Sequence, residues 1–252
     1  MKFFFNSSKS KEALNAKKKF VKKYGQYKLK DADVIVPIGG DGFLLQNLHK
    51  YSKFNLPFFG INYGSIGFLM NFRVNKNLEK IIKKFQEIIL KPLEMKVLDI
   101  NKKKFTSKAY NEVSLMRQTH QAAKINISIN KIERLKELIC DGLLVSTPAG
   151  STAYNLSAHG SIIPLNSNLL ALTPISSFRP RRWRGALLQE KNNIKFKVIN
   201  CDKRPVSVTA DNTEFRNVKS VEIYSSDKYS CKLLFDKNYS MEEKILKEQF
   251  YS

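Results

Sequence analysis

A single carboxylate, Asp41, stands among three glycines, Gly39, Gly40 and Gly42, in the stretch PIGGDGFLL. The stretch follows the apolar run DVIVPI and precedes the helix-like FLLQNLHKY. A glycine turn between a strand and a helix leaves backbone N–H groups free at a helix N-terminus, where partial positive charge favours phosphate. A carboxylate repels phosphate. Asp41 therefore either caps the helix, as aspartate does well, or acts on the group that receives the phosphate. Three glycines round one acid point to close approach of something bulky and anionic.

Other chemistry-bearing residues lie further along. GINYGSIGFLMN (60–71) places Gly60, Gly64 and Gly67 after the next apolar run. Ligands of open α/β sheets bind beyond the carboxyl ends of the strands, so two such loops would face one crevice. AYNEVSLMR sets Asn111 and Glu112 side by side in a strand-like run. Neighbours in a strand point to opposite faces, so one of the pair faces inward, into a site or along an edge. CDGLLVSTPAGSTAYNLSAHG (140–160) crowds Thr147, Ser151, Thr152, Tyr154, Asn155 and Ser157 onto a turn and a helix start, with Ser151 or Thr152 as a cap. Such hydroxyl and amide groups suit ribose and base recognition, or simply a capped helix. FRPRRWRG (178–185) gathers four of the nine arginines around Trp183, which fits phosphate binding or a subunit contact.

Those loops need rigid elements. KFFFN reads as a first strand, and SKSKEALNAKKKFVKKYG as a helix capped by Ser10 and stopped at Gly25. ADVIVPI is a buried strand, followed by the glycine loop, a helix to about Tyr51 and a second buried strand, LPFFGIN. NLEKIIKKFQEIIL has helical apolar spacing at Leu78, Ile81, Ile82, Phe85, Ile88 and Ile89. Alternating strands and helices argue a parallel α/β layer. After Lys91-Pro92 the pattern changes to short alternating segments between turns, as in a β-sandwich. The tail SMEEKILKEQF is helical again and is expected to return to the first domain. The expected division is residues 1–95 with about 236–252 as the α/β domain, and 96–235 as the β-rich one.

Composition sets bounds. The chain has 252 residues, 42% hydrophobic, with a net charge of +22. Nucleic acid is the first partner such a charge raises. The excess is mostly lysine in scattered short runs, with no nucleic-acid motif, so no specific nucleic-acid partner is expected. Cys140, Cys201 and Cys231 have no metal-ligand spacing and point to a reducing compartment. No apolar run approaches a membrane span or a signal sequence, so a cytoplasmic protein without a membrane partner is expected.

In order, GGDG (39–42), GINYGSIGFL (60–69), NE (111–112), DGLLVSTPAGSTAYNLSAHG (141–160) and LTPIS (172–176) resemble the NAD kinase family. GGDG alone is shared with lipid kinases and phosphofructokinases; STPAGSTAYNLSA together with NE is far more specific. The resemblance implies a Rossmann-like parallel α/β N-terminal domain, a β-sandwich-like C-terminal domain with the site between them, and a homodimer or homotetramer. It implies phosphorylation of the adenosine-ribose 2′-hydroxyl of NAD by ATP or polyphosphate, with Mg²⁺ or another divalent cation and no metal ligand assigned to the protein. Asp41 would be the general base or orienting group. The substrates would be held by Gly39, Gly40, Gly42, Asn111, Glu112, Asp141, Ala149, Thr152, Ala153, Tyr154, Asn155, Leu156, Ser157 and Asp211. Several positions depart from the pattern: Phe43 replaces a common threonine, His159 a common glycine and Ile139 a common arginine. SSFRPRRWRG replaces a His-containing segment, and ADNTEF (210–215) an Asp-Gly-Gln-like turn. A lipid kinase would share the glycine loop but needs an apolar acceptor channel, against which the hydroxyl-rich 146–157 argues. A binding protein without catalysis is the other alternative, against which the intact Asp41 loop argues.

Overall fold

The computed structural model describes residues 1–65, 67–74, 77–237 and 241–250, and in the last of these the side chains of 243–246 and 250. Ile66 of the second glycine loop and Ser240 of the expected tail helix lie outside the described residues. The chain forms two compact units, one of Met1–Leu90 with Tyr229–Ser252, the other of Lys91–Lys228.

The first unit is built on three parallel strands in the order β1 (Phe3–Ser7), β2 (Val34–Gly39), β3 (Ile61–Asn62). Every residue of β2 is buried, as a strand covered on both faces requires. Helix α1 (Lys11–Tyr24) starts where Ser10 accepts the Ala13 N–H and ends at Gly25, whose φ of +77° suits glycine. Its Ala13, Ala16 and Phe20 pack on Phe3, Phe5, Val34, Val36 and Ile38. Helix α2 (Asp41–Tyr51) also packs on β2 and buries Leu44 and Leu48. The expected second strand is shorter than its apolar run: only Ile61 and Asn62 form a ladder, while Phe58 makes parallel bridges to Ile35 and Leu233.

The helix expected over 77–90 is a correction. Helix α3 (Leu78–Ile82) stops after five residues, and Phe85–Leu90 is strand β4, antiparallel to β17 (Cys231–Asp236). Phe85, Ile88 and Ile89 prefer a pleated surface, and the partner strand lies some 140 residues away, out of reach of any local pattern. The same pairing moves the domain boundary: β17, expected in the β-rich domain, belongs to the first unit, which ends at Leu90 rather than 95. The tail helix α5 (Met241–Phe250) lies in this unit too.

The second unit is a β-sandwich. One sheet orders β6 (Lys104–Ala109), β5 (Leu93–Asp99), β16 (Val218–Ser225), β13 (Ile194–Val198), β8 (Ala123–Ile129) and β9 (Ile132–Cys140). The other orders β12 (Ala186–Gln189), β11 (Leu169–Ile175), β10 (Gly142–Ser146), β7 (Glu112–Arg117), β14 (Val206–Ala210) and β15 (Thr213–Phe215). Both sheets feed one core, with Met95, Ile125, Phe196 and Val221 on one side and Val113, Leu115, Leu143, Val145, Leu172 and Val208 on the other.

Alternation along the second sheet then decides what its other face carries. Glu112, Ser114 and Met116 alternate with Val113 and Leu115, and Ser207 lies between Val206 and Val208. Thr173 and Ser146 occupy the equivalent positions beside Leu172 and Val145. The face turned away from the core is thus rich in small and hydroxyl side chains. A 3-10 turn (Ala149–Thr152) and the one-turn helix α4 (Tyr154–Ser157) follow β10, shorter than the helix the sequence suggests, and Asn155 of α4 accepts a bond from Thr173 on that face.

Candidate active site

In the first unit Asp41 is the first residue of α2, not its cap. Gly40 occupies the cap position, and no side chain caps the helix. The Asp41 carboxylate instead turns to the second glycine loop. Oδ2 accepts the Phe68 N–H at 2.7 Å and Oδ1 the Leu69 N–H at 3.1 Å. Burial raises the carboxyl above its ordinary range, against the pull of those two bonds and of the Lys244 charge. A raised carboxyl is a stronger base than a solvated one. The loops are close-packed here: a Cβ on Gly64 would lie 3.2 Å from Gly40 Cα, so the backbone would have to shift to admit a side chain there, whereas one on Gly40 would sit at an ordinary 3.8 Å from Gly64 Cα. On Gly42 a Cβ would meet nothing within 4 Å, so this side of the loop is open. Tyr63 N donates to Gly39 O at 2.7 Å, tying the two loops at their roots.

The second unit builds a different centre round Asn111 and Glu112. Both carboxylate oxygens of Asp211 are engaged: Oδ2 accepts from Tyr110 N at 2.7 Å, and Oδ1 from Asn111 N at 3.0 Å and Glu112 N at 3.3 Å. Asp211 sits in the two-residue link between β14 and β15 at φ +50°, a left-handed conformation aspartate tolerates. From the other side, Thr147 donates through its hydroxyl to Tyr110 O at 2.6 Å and through its N–H to Asn111 O at 2.9 Å. Gly150 has to be glycine, because a Cβ there would strike the Asn111 carbonyl. The backbone of 110–112 is therefore clamped on both sides.

The side chains it carries are left waiting. Asn111 Oδ1 and Glu112 Oε2 are buried and make no hydrogen bond. An unpaired buried acceptor costs about 1–3 kcal/mol, so a ligand that brings N–H or O–H donors is the natural partner. Burial, followed by the nearby Asp211 charge, pushes the Glu112 carboxyl up to about 7. Tyr154 is held above its ordinary range by burial and by the Glu112 charge, and its hydroxyl reaches Met116 Sδ at 3.5 Å. Met116 pairs with Gly142 at the far end of β10 from the Glu112–Ser146 pair. Next to it, Asp141 accepts from Arg117 Nε at 2.5 Å. Glu112 lies at one end of β7, and Met116, the contact of the Tyr154 hydroxyl, four residues further along it, a span of roughly 13 Å.

Two family models match, the ATP-NAD kinase N-terminal domain over residues 2–89 and the ATP-NAD kinase C-terminal domain over residues 110–233. The chain belongs to the NAD kinase family. Relatives named NAD kinase agree: that of Rickettsia rickettsii (strain Sheila Smith) is 54% identical over 229 residues, 91% of this chain and 90% of the relative. That of Rickettsia bellii (strain OSU 85-389) is 52% identical over 244 residues, 97% and 94%. Two solved structures share the fold, each with a TM-score of 0.79. One is a yeast NADH kinase complexed with NADH, at 18% identity over all of this chain and 88% of that one. The other is an NAD kinase from Archaeoglobus fulgidus in complex with ATP, at 21% identity over 98% and 97%.

The family-implied residues divide by what they do in this NAD kinase family member. Gly39 ends β2, Gly40 caps α2, and Gly42 leaves open space. Ala149 is buried in the 3-10 turn; Thr152, Ala153, Tyr154 and Leu156 are partly exposed, and Ser157 is exposed. Asn155 is buried, and its amide bonds within the protein, donating to Ser151 O and Ser161 O and accepting from Thr173. Its side chain thereby shapes the turn. Asp211 likewise holds backbone. Neither Ser151 nor Thr152 caps α4; Ser151 bonds Pro148 O and Ile163 instead. His159 has φ +61°, a left-handed conformation that favours glycine. The arginines 179, 181, 182 and 184 are exposed, while Trp183 packs on the sandwich core.

Two participants escape sequence reasoning. Lys244 is one lysine among many, with no local mark. Asn71 ends the quoted loop, and a polar residue closing the apolar run FLM is the signal that singles it out. It is buried, donates to Gly60 O and Leu234 O, and accepts from Asp236 N.

Proposed function

We propose that the chain transfers the γ-phosphoryl group of ATP to the adenosine-ribose 2′-hydroxyl of NAD, giving NADP and ADP, with Asp41 as the base. The observation that carries this is the Asp41 carboxylate. It is anchored by two backbone N–H groups, made more basic by burial, and set beside an open glycine turn at a helix N-terminus. The hydroxyl oxygen attacks the γ-phosphorus, the bond to the bridging oxygen of ADP breaks, and the hydroxyl proton passes to Asp41. The glycine loop supplies N–H groups to the donor phosphates. The buried acceptors Asn111 Oδ1 and Glu112 Oε2 take N–H or O–H donors of the dinucleotide.

Among the described residues no group of three or more His, Cys, Asp or Glu is placed to hold a metal. A lone carboxylate such as Asp41 fits a magnesium ion carried mainly by phosphate oxygens and water. Such an ion would supply charge neutralisation on the transferred phosphoryl group. A homodimer or homotetramer in the cytoplasm belongs to the same reading, and sedimentation tests the assembly. Among the described residues no helix is long and apolar enough to cross a membrane.

The test is a coupled assay with NAD, ATP and Mg²⁺, reading NADP with an NADP-specific dehydrogenase, beside Asp41→Asn and an EDTA arm. The wild type makes NADP, EDTA stops it, and the mutant loses about 10²–10⁴-fold in kcat while NAD still binds. No NADP with ATP or polyphosphate sinks the reading. Equal activity in the mutant removes Asp41 from the chemistry.

A further inference from the structure

The loop that aims Asp41 has little secondary structure of its own. Residues 67–70 lie in neither helix nor strand, and Asn71 makes only an isolated bridge to Ile61. Yet Phe68 and Leu69 must present two N–H groups to one carboxylate. Among the described residues, Asn71 and Lys244 tie this segment to β17 and α5. Asn71 ties it to β17 through Leu234 O and Asp236 N. Lys244 of α5 donates from Nζ to Gly67 O at 2.5 Å and to Met70 O at 2.7 Å. Those two carbonyls flank Phe68 and Leu69. The ammonium also lies 4.7 Å from the centroid of the Phe72 ring.

We propose that Lys244 is a positioning residue for Asp41, gripping the carbonyls on either side of Phe68 and Leu69 so that their N–H groups aim the carboxylate at the acceptor hydroxyl. The inference rests on the NAD kinase reading above. A half-buried ammonium is costly to keep unless it is bonded; here burial pushes Lys244 down to about 8, and the Asp41 charge acts in the opposite sense. The same cation lowers the Asp41 carboxyl. Lys244 is therefore linked to Asp41 by two routes, a mechanical one through the loop and an electrostatic one. The dependence runs across some 175 residues of sequence, from the tail helix to the glycine loop.

The test compares Lys244→Met, Lys244→Gln and Lys244→Arg with the wild type in the coupled assay, each with a melting curve. Loosening a reacting group by about 1 Å costs on the order of a hundredfold. The neutral variants are expected to lose about ten- to a hundredfold in kcat with KM for NAD changed by no more than about twofold. Arginine, a cationic donor, is expected to stay within about tenfold of the wild type. In the Asp41→Asn background, Lys244→Met is expected to add little, because residues acting through one group are non-additive. A folded neutral variant with wild-type kcat overturns the inference. So does a full multiplicative loss in the double mutant, or a rise in KM with kcat unchanged. Failure of both neutral variants to fold overturns it as well, since it confines Lys244 to one loop. A wild type that makes no NADP instead overturns the underlying reading.

Discussion

Glu112→Gln separates the cost of a buried carboxylate from its use. In the free protein Glu112 keeps its proton up to about pH 7, against 4.5 for an ordinary glutamate. Burial is the main cause and the Asp211 charge the second. Below pH 4.5 the group is protonated in both folded and unfolded chains, and its contribution to stability is fully present. Between 4.5 and about 7 the unfolded chain ionises while the folded one holds its proton, so stability falls. Above that the loss is constant. The displacement corresponds to about 3 kcal/mol, or about 6–12 °C in Tm for a chain of this length. Glutamine does not titrate, so the Tm difference between Glu112→Gln and the wild type should grow in the mutant's favour by that amount from pH 4.5 to 8. Scanning calorimetry across that range is the assay. NAD should reverse the shift, because N–H or O–H donors to the ionised carboxylate favour it. Binding near pH 6 should then release up to one proton, read by titration calorimetry in two buffers of different ionisation enthalpy. A Tm difference flat with pH would refute the burial argument. Proton uptake on binding would refute the assignment of Glu112 Oε2 as a ligand acceptor.

Two further substitutions probe the scaffold. Asp211→Ala strands three backbone N–H groups and frees the clamp on 110–112; it should cost at least about 3 kcal/mol in urea unfolding and raise KM for NAD more than it lowers kcat. Gly42→Ala meets no protein atom and replaces glycine inside a helix, so it should raise stability by roughly 0.5–1 kcal/mol. The same methyl intrudes where donor phosphates approach, so KM for ATP should rise; an unchanged KM would place the phosphates elsewhere.

Much of this was legible in the order of residue types. The apolar run before Gly39, the Ser10 and Gly25 caps of α1 and the alternating strands after Pro92 each state their structure locally, because a buried strand, a helix end and a half-buried strand have different short-range signatures. The glycines round Asp41 and the NE and STPAGSTAYNLSA motifs marked the family. Two things were not legible. The strand at 85–90 reads as helix until its partner at 231–236 supplies a ladder. The jobs of Asp41, Asn155 and Asp211 were equally hidden, since a carboxylate or an amide looks the same in sequence whether it meets a ligand or the chain's own N–H groups.

The sequence by itself thus determined most of the elements and the motifs that mark the family. Tertiary structure decided where each polar group's hydrogen bonds go: Asp41 to a loop rather than its own helix, Asp211 to the 110–112 backbone, Lys244 from the tail to the carbonyls beside Phe68 and Leu69. The reason is range. Periodicity and capping act over a few residues, whereas a buried polar group must be satisfied by whatever the fold brings within about 3 Å, however distant in the chain.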